Sequence, residues 1–261
     1  MKMQGVLALA LGWAVIAAGG AAAQEAGYLA PAQLPDAARL VGPPPAEATG
    51  TLAGDLQTYH ATRALNGSER WALAVRDADY GPGPMMRAFS CALGVSLTPD
   101  KAPALNRLLG RLAVDADTDE HAAKKTYRRP RPFLADGGPI CVAPEDWLKK
   151  GFSYPSGHAA YGWSAGLVLA EIAPDRSGDV LARARSYGES RVVCGVHYES
   201  DIAAGREVGA AVFSALQDDP AFKADLEAAR AELARLRAAP AGQPDPAECR
   251  VEDDAAAHPV R

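Results

Sequence analysis

Long apolar runs are scarce in this chain. After residue 23 no segment approaches the roughly 18 uninterrupted apolar residues that a transmembrane helix needs, which excludes an integral membrane enzyme. A surplus of positive charge is also missing. Against 27 Lys and Arg stand 32 Asp and Glu, a formal net charge of -5, so no general nucleic-acid or anionic-membrane surface is expected and any cationic site must be local. Cysteine is limited to four residues with no C-x-x-C pair, a poor fit to a structural zinc site. Sustained apolar/polar alternation, closely spaced hairpin signals and internal repeats are absent, which argues against β-sheet and repeat architectures. The Gly-x-Ser-x-Gly elbow of serine hydrolases does not occur around Ser156 either, where the wording is Tyr154-Pro155-Ser156-Gly157-His158.

What is present organises simply. Residues 1–23 join Lys2, an apolar run and Ala21-Ala22-Ala23, the layout of a cleavable signal peptide cut near Ala23, so a periplasmic or secreted protein is expected. Residues 24–58, with Pro43-Pro44-Pro45, read as an extended Pro/Ala-rich segment. Residues 59–237 read as one helical domain, long enough for one substantial core. Leu105, Leu108, Leu109, Leu112 and Ala116 repeat at three and four behind Pro103, the mark of an amphipathic helix. Ala159 to Ile172 is apolar almost all round and predicts a central buried helix. In the next apolar stretch Gly205 and Gly209 lie four apart, where a neighbouring helix would approach closely. Phe222, Leu226, Ala229, Leu233 and Leu236 form a last stripe, read first as core cover and second as a surface for self-association. Residues 238–261 lack periodicity and read as a flexible acidic tail. The fold class is therefore all-α.

The chemistry lies in three short segments. His197 and Asp201 stand four apart near a helix start, so the carboxylate can fix one imidazole nitrogen and leave the other free as a nucleophile. Arg191 precedes them. Ser156 and Gly157 sit where a loop becomes a helix, so their amides and the helix dipole favour an anion, and His158 follows, placed to donate a proton. Lys124, Lys125, Arg128, Arg129 and Arg131 make a local cationic run in an acidic chain; of these, Arg131 is bracketed by Pro130 and Pro132, which suits a preorganised phosphate-binding fork. The kit moves a phosphoryl group without a metal, and no cofactor is expected. Cys91, Cys141, Cys194 and Cys249 allow three disulfide connectivities. Pairing of Cys141 with Cys194 is favoured, since both flank the proposed site.

Taken together, Lys124-x6-Arg131-Pro132, Pro155-Ser156-Gly157-His158 and Ser190-Arg191-x5-His197-x3-Asp201 resemble the signature of the type 2 phosphatidic-acid phosphatase (PAP2) superfamily, which includes vanadium haloperoxidases. The fuller wording, from Lys124 to Phe133, from Gly151 to His158 and from Ser190 to His197, looks like the bacterial class A non-specific acid phosphatases. The resemblance runs from about Tyr59 to Leu236; Tyr198 departs from it by standing where a tryptophan is expected. It implies a compact helical bundle that hydrolyses phosphomonoesters without metal. His197 would attack phosphorus to form a phosphohistidine with Asp201 orienting it, and His158 would protonate the leaving oxygen. Lys124, Arg131, Arg191 and the Ser156 and Gly157 amides would hold the phosphate oxygens. Inhibition by vanadate and by phosphate is expected on the same ground. Two other readings use the same residues: a vanadate-dependent haloperoxidase, and a non-catalytic phosphate-binding protein that would need neither His158 nor Asp201.

Overall fold

The computed structural model describes residues 26–239 and 242–260, and among them the regular elements are all helices with no strand, as expected. In chain order the α-helices are α1 (Ala37–Val41), α2 (Gly50–Arg63), α3 (Glu69–Arg76), α4 (Pro82–Leu93), α5 (Pro103–Tyr127), α6 (Pro132–Ala135), α7 (Asp146–Lys150), α8 (Gly157–Ile172), α9 (Ser177–Val193), α10 (Glu199–Leu216), α11 (Pro220–Ala238) and α12 (Pro246–Ala257). The leader assigned to residues 1–23 lies outside the described residues.

α8 is the axis of the bundle because its surface is almost smooth. Half of its residues are Gly, Ala or Ser, and eleven of its positions are buried, chiefly against α9 and α10. A Cβ added to Gly166 would lie 2.4 Å from Ala184 Cβ on α9, and one added to Gly209 on α10 would lie 2.3 Å from the Ala160 carbonyl of α8. The close approach predicted from Gly205 and Gly209 is thus with α8. α5 crosses this group, burying Leu105, Leu108, Leu109, Leu112 and Ala116. α11 lays Phe222, Leu226, Ala229 and Leu233 onto α5, so the last apolar stripe covers the core. It also caps its neighbour: the Glu232 carboxylate accepts from the Ala104 and Leu105 amides at the α5 N-terminus (3.3 and 3.0 Å), where the helix dipole favours an anion.

Two stretches differ from the sequence reading. Residues 24–58 contain α1 and the first turns of α2, which begins at Gly50 because the Thr49 hydroxyl accepts from the Leu52 amide (3.3 Å). A Pro- and Ala-rich composition hid that cap. The expected tail contains α12, opened by an Asp245 cap and Pro246. Tertiary ties hold it: the Cys91–Cys249 disulfide to α4, and the Glu252 carboxylate 3.3 Å from Arg183 Nε on α9. The second disulfide joins Cys141 to Cys194, the pairing favoured from sequence, and links the loop after α6 to the end of α9.

If α8 and α10 are fixed by this contact, Gly209→Ala should lower stability by about 1–3 kcal/mol, the usual result of overpacking. Gly178→Ala, at a helical position where an added Cβ meets nothing within 4 Å, should be neutral or stabilising. Urea denaturation of the pair checks this, and equal midpoints would refute the packing argument.

Candidate active site

The three segments converge on one cavity of about 510 Å³, lined by Lys124, Arg131, Gly157, His158, Arg191 and His197 together with Tyr80, Asp117, Glu120, His121 and Trp147. α5 supplies Lys124 from its last turn, α8 supplies Gly157 and His158 from its first, and α9 supplies Arg191 from its last. His197 stands in the short turn between α9 and α10. That turn depends on Gly195, whose φ of +82° is a left-handed conformation and whose added Cβ would lie 2.2 Å from Arg63 Nη1. Arg63 Nη2 in turn donates to the Val192 and Val193 carbonyls (2.6 and 2.7 Å), closing the end of α9 beside the site.

The tautomer of His197 follows from its neighbours. Arg131 Nη1 lies 3.1 Å from His197 Nε2, and a guanidinium can only donate, so Nε2 carries a lone pair. The proton is then on Nδ1, which donates to Asp201 Oδ2 (3.3 Å). The same oxygen accepts from the Tyr198 amide at the start of α10 (2.8 Å). Burial pushes the His197 pKa well below the ordinary imidazole value, with Arg131, Lys124 and Arg191 adding to the effect. The result is a neutral imidazole whose basic nitrogen belongs to a cationic cavity.

Arg129, which sequence reasoning passed over, holds the other side of Asp201. Its Nη1 donates to Asp201 Oδ1 (2.6 Å) and Ser200 Oγ (2.7 Å), its Nη2 to Asp55 Oδ2 (2.8 Å), and its guanidinium lies 4.1 Å from the Tyr198 ring centroid. Tyr198, the expected tryptophan position, therefore serves as a face for Arg129. Of the cationic run, then, Arg129 is structural, Arg128 is exposed at a left-handed helix end, and Lys124, Lys125 and Arg131 line the cavity.

Arg131 and Arg191 are buried, yet Arg131 Nε and Arg191 Nε and Nη1 have no hydrogen-bond acceptor. Burial pulls both guanidinium pKa values down to about 10, and the two arginines repel one another across the site. Buried donors without partners are uncommon and costly, and the chemistry of these three suits an anion. Lys124 Nζ is held by Glu120, 3.2 Å from Oε1 and 3.0 Å from Oε2.

The loop before α8 needs one correction. The Ser156 amide, expected to face the phosphate, donates to the Asp201 carbonyl (2.9 Å), and the Ser156 hydroxyl caps α8 by accepting from the Ala159 amide (3.3 Å). Gly157, the first residue of α8, keeps an amide with no intrahelical acceptor. His158 donates from Nε2 to the Ala78 carbonyl (3.1 Å), which places the lone pair of the neutral ring on Nδ1, and its ring contacts those of Tyr80 and Tyr187. Burial, followed by Arg191, pushes its pKa well below the ordinary value while the site is empty.

Comparison with known proteins places the chain in a family. A model of the PAP2 superfamily matches residues 105–218. The chain is 39% identical over 216 residues to the acid phosphatase of Zymomonas mobilis, covering 82% of this chain and 81% of that protein. The chain belongs to the PAP2 superfamily, with the non-specific acid phosphatases. It is also 38% identical over 212 residues to the non-specific acid phosphatase of Providencia stuartii (80% of this chain, 86% of that protein). To that of Salmonella typhimurium it is 40% identical over 194 residues (73% and 77%). The PAP2 match begins in α5 and ends just after α10, so it spans all three segments.

Arg129→Met should lower stability by about 3–5 kcal/mol, because it leaves Asp55 and Asp201 buried without their shared cation. Arg128→Met, at the exposed neighbouring position, should stay within about 0.5 kcal/mol of the parent. Chemical denaturation distinguishes the two, and similar midpoints would remove Arg129 from the structural role.

Proposed function

We propose that this protein is an acid phosphatase that hydrolyses phosphomonoesters through a phosphohistidine at His197, without a metal, and acts in the periplasm or outside the cell. The observation that carries the reading is a neutral His197 with its Nε2 lone pair among three unpartnered guanidinium N–H donors. Phosphate oxygens would accept from Arg131, Arg191, Lys124 and the Gly157 amide, which stabilise charge as it redistributes in the transition state. His197 Nε2 attacks phosphorus, the bond to the ester oxygen breaks, and His158 delivers its proton to that oxygen. Water then attacks the phosphohistidine, passes a proton back to His158, and releases phosphate and neutral His197. Asp201 stabilises the imidazolium character that develops on His197.

The sign of the pH dependence follows. His197 has a depressed pKa and remains a competent nucleophile as pH falls, until pH drops through that low value. His158 is also depressed in the empty cavity, but a phosphate dianion supplies the negative charge that draws a proton back onto it. Activity is therefore lost as pH rises and the complex sheds the His158 proton, which gives an optimum on the acidic side. Export is supported by the two disulfides, which persist in oxidising compartments. Among the described residues no helix is long and apolar enough to cross a membrane.

His197→Ala should abolish turnover and leave no alkali-stable, acid-labile phosphoenzyme in a rapid alkaline quench that traps one in the parent; a trapped phosphoenzyme in that variant would disprove the nucleophile. His158→Ala should slow alkyl phosphates by about 10²–10⁴-fold, the usual contribution of a positioned acid, while nitrophenyl phosphate, whose leaving group needs no proton, suffers far less. Equal losses on both substrates would exclude His158 as the acid.

A further inference from the structure

Glu120 was not legible as a functional residue, yet its carboxylate sits in the phosphate cradle. It is 2% exposed as a side chain and lines the same cavity as His197 and His158. A Cβ built on Gly157 would lie 2.5 Å from Glu120 Oε1, so the carboxylate rests against the first residue of α8, beside the helix N-terminus that favours an anion. Oε1 faces Lys124 Nζ and, at 3.2 Å, His121 Nδ1. Oε2 makes the 3.0 Å ion-pair approach to Lys124 but receives no hydrogen bond. A buried carboxylate thus occupies part of an anion site and has one under-satisfied oxygen.

A second anion entering that site meets a specific charge set. From α5 the groups around Glu120 are Asp117, Asp119, His121 and Lys124; from the loop before α6 comes Arg131, from before α4 Tyr80, whose hydroxyl donates to Asp117 (2.9 Å), and from α8 the Gly157 amide and His158. Like charges brought together at one buried site favour a shared proton. We propose that Glu120 couples anion entry to proton uptake, so that the site admits a tetrahedral dianion together with one proton held between Glu120 and the bound oxygen. In the empty site burial would raise the Glu120 carboxyl, but Lys124 and His121 outweigh it and hold the carboxyl below its usual range. The carboxylate is then ionised before the ligand arrives, and the proton is taken up on binding. At neutral pH the resident charge works against the phosphate; in acid the opposition fades. Glu120 is in this sense a residue that selects for acidic conditions, separate from the histidine pair.

The proposal rests on the phosphatase reading of the cavity, and its test is independent of turnover. Sulfate is the probe, because it stays a dianion where phosphate itself titrates. Calorimetry of sulfate binding to the wild-type protein, repeated in buffers of different ionisation enthalpy, counts protons taken up. The Glu120→Gln variant, nearly isosteric, should take up one proton fewer. It should bind sulfate about tenfold more tightly at about pH 7, a difference that shrinks toward the ordinary carboxylate range near pH 4. Unchanged proton uptake, or weaker sulfate binding by Glu120→Gln at every pH, would overturn the proposal and reduce Glu120 to an anchor for Lys124. The wild-type proton count stands even if the variant folds poorly. Failure of the phosphatase reading would appear separately, as absence of phosphomonoester hydrolysis by a protein that still binds sulfate.

Discussion

Asp201 is the residue on which the rest of the site depends. Its Oδ2 fixes the His197 tautomer and accepts the Tyr198 amide just before α10, its Oδ1 receives Arg129, and its main-chain carbonyl receives the Ser156 amide. One residue thereby joins the three segments that sequence places far apart: the cationic run after α5, the turn before α8 and the start of α10. Burial pushes the Asp201 carboxyl upward from its ordinary range, and Arg129, the Tyr198 amide and Arg131 oppose that shift. The orientation of His197 and the charge balance of the core are consequently the same set of bonds.

That economy explains which parts of the site were readable. That His197 and Asp201 stand one helical turn apart, and that Gly157 and His158 open a helix, was legible because spacing encodes local geometry: four residues make one turn, and a Pro-Ser-Gly turn makes a helix start. Arg129 carried no such pattern; its role arises from Asp55, which the chain supplies from α2 with no periodic or spacing signal at all. Glu120 was hidden for the same reason, since only the tertiary approach of α5 to Gly157 gives it a function. The Ser156 amide was misassigned because helix-start geometry leaves an amide free until a neighbouring carbonyl claims it, and that carbonyl belongs to Asp201.

The fold divides along a similar line. Helices defined by apolar periodicity, such as α5, or by an all-round apolar surface, such as α8, were legible because burial follows from the pattern itself. α1 and α12 were not: each is short, Ala-rich and tied by long-range contacts. The Asp119 carboxylate lies 3.3 Å from the Ala37 amide, and Cys91 holds Cys249. In such segments the tertiary contact determines the helix, and local sequence records only the caps.

The buried arginines separate structure from chemistry. Among the described residues four are buried: Arg129, Arg131, Arg183 and Arg191. Arg129 has Asp55 and Asp201, and Arg183 has Asp77 at 2.5 Å and Glu252 at 3.3 Å. Each of those guanidinium groups gains a raised pKa once its carboxylates are in place. Arg131 and Arg191 form no ion pair among the described residues, lie lowered in pKa, and line the cavity. A protein with an excess of acidic residues had carboxylates to spare for them. Without paired carboxylates the two cations keep unpartnered donors facing a cavity, and that unmet demand is the physical basis for proposing an anion there instead of a buried ion pair.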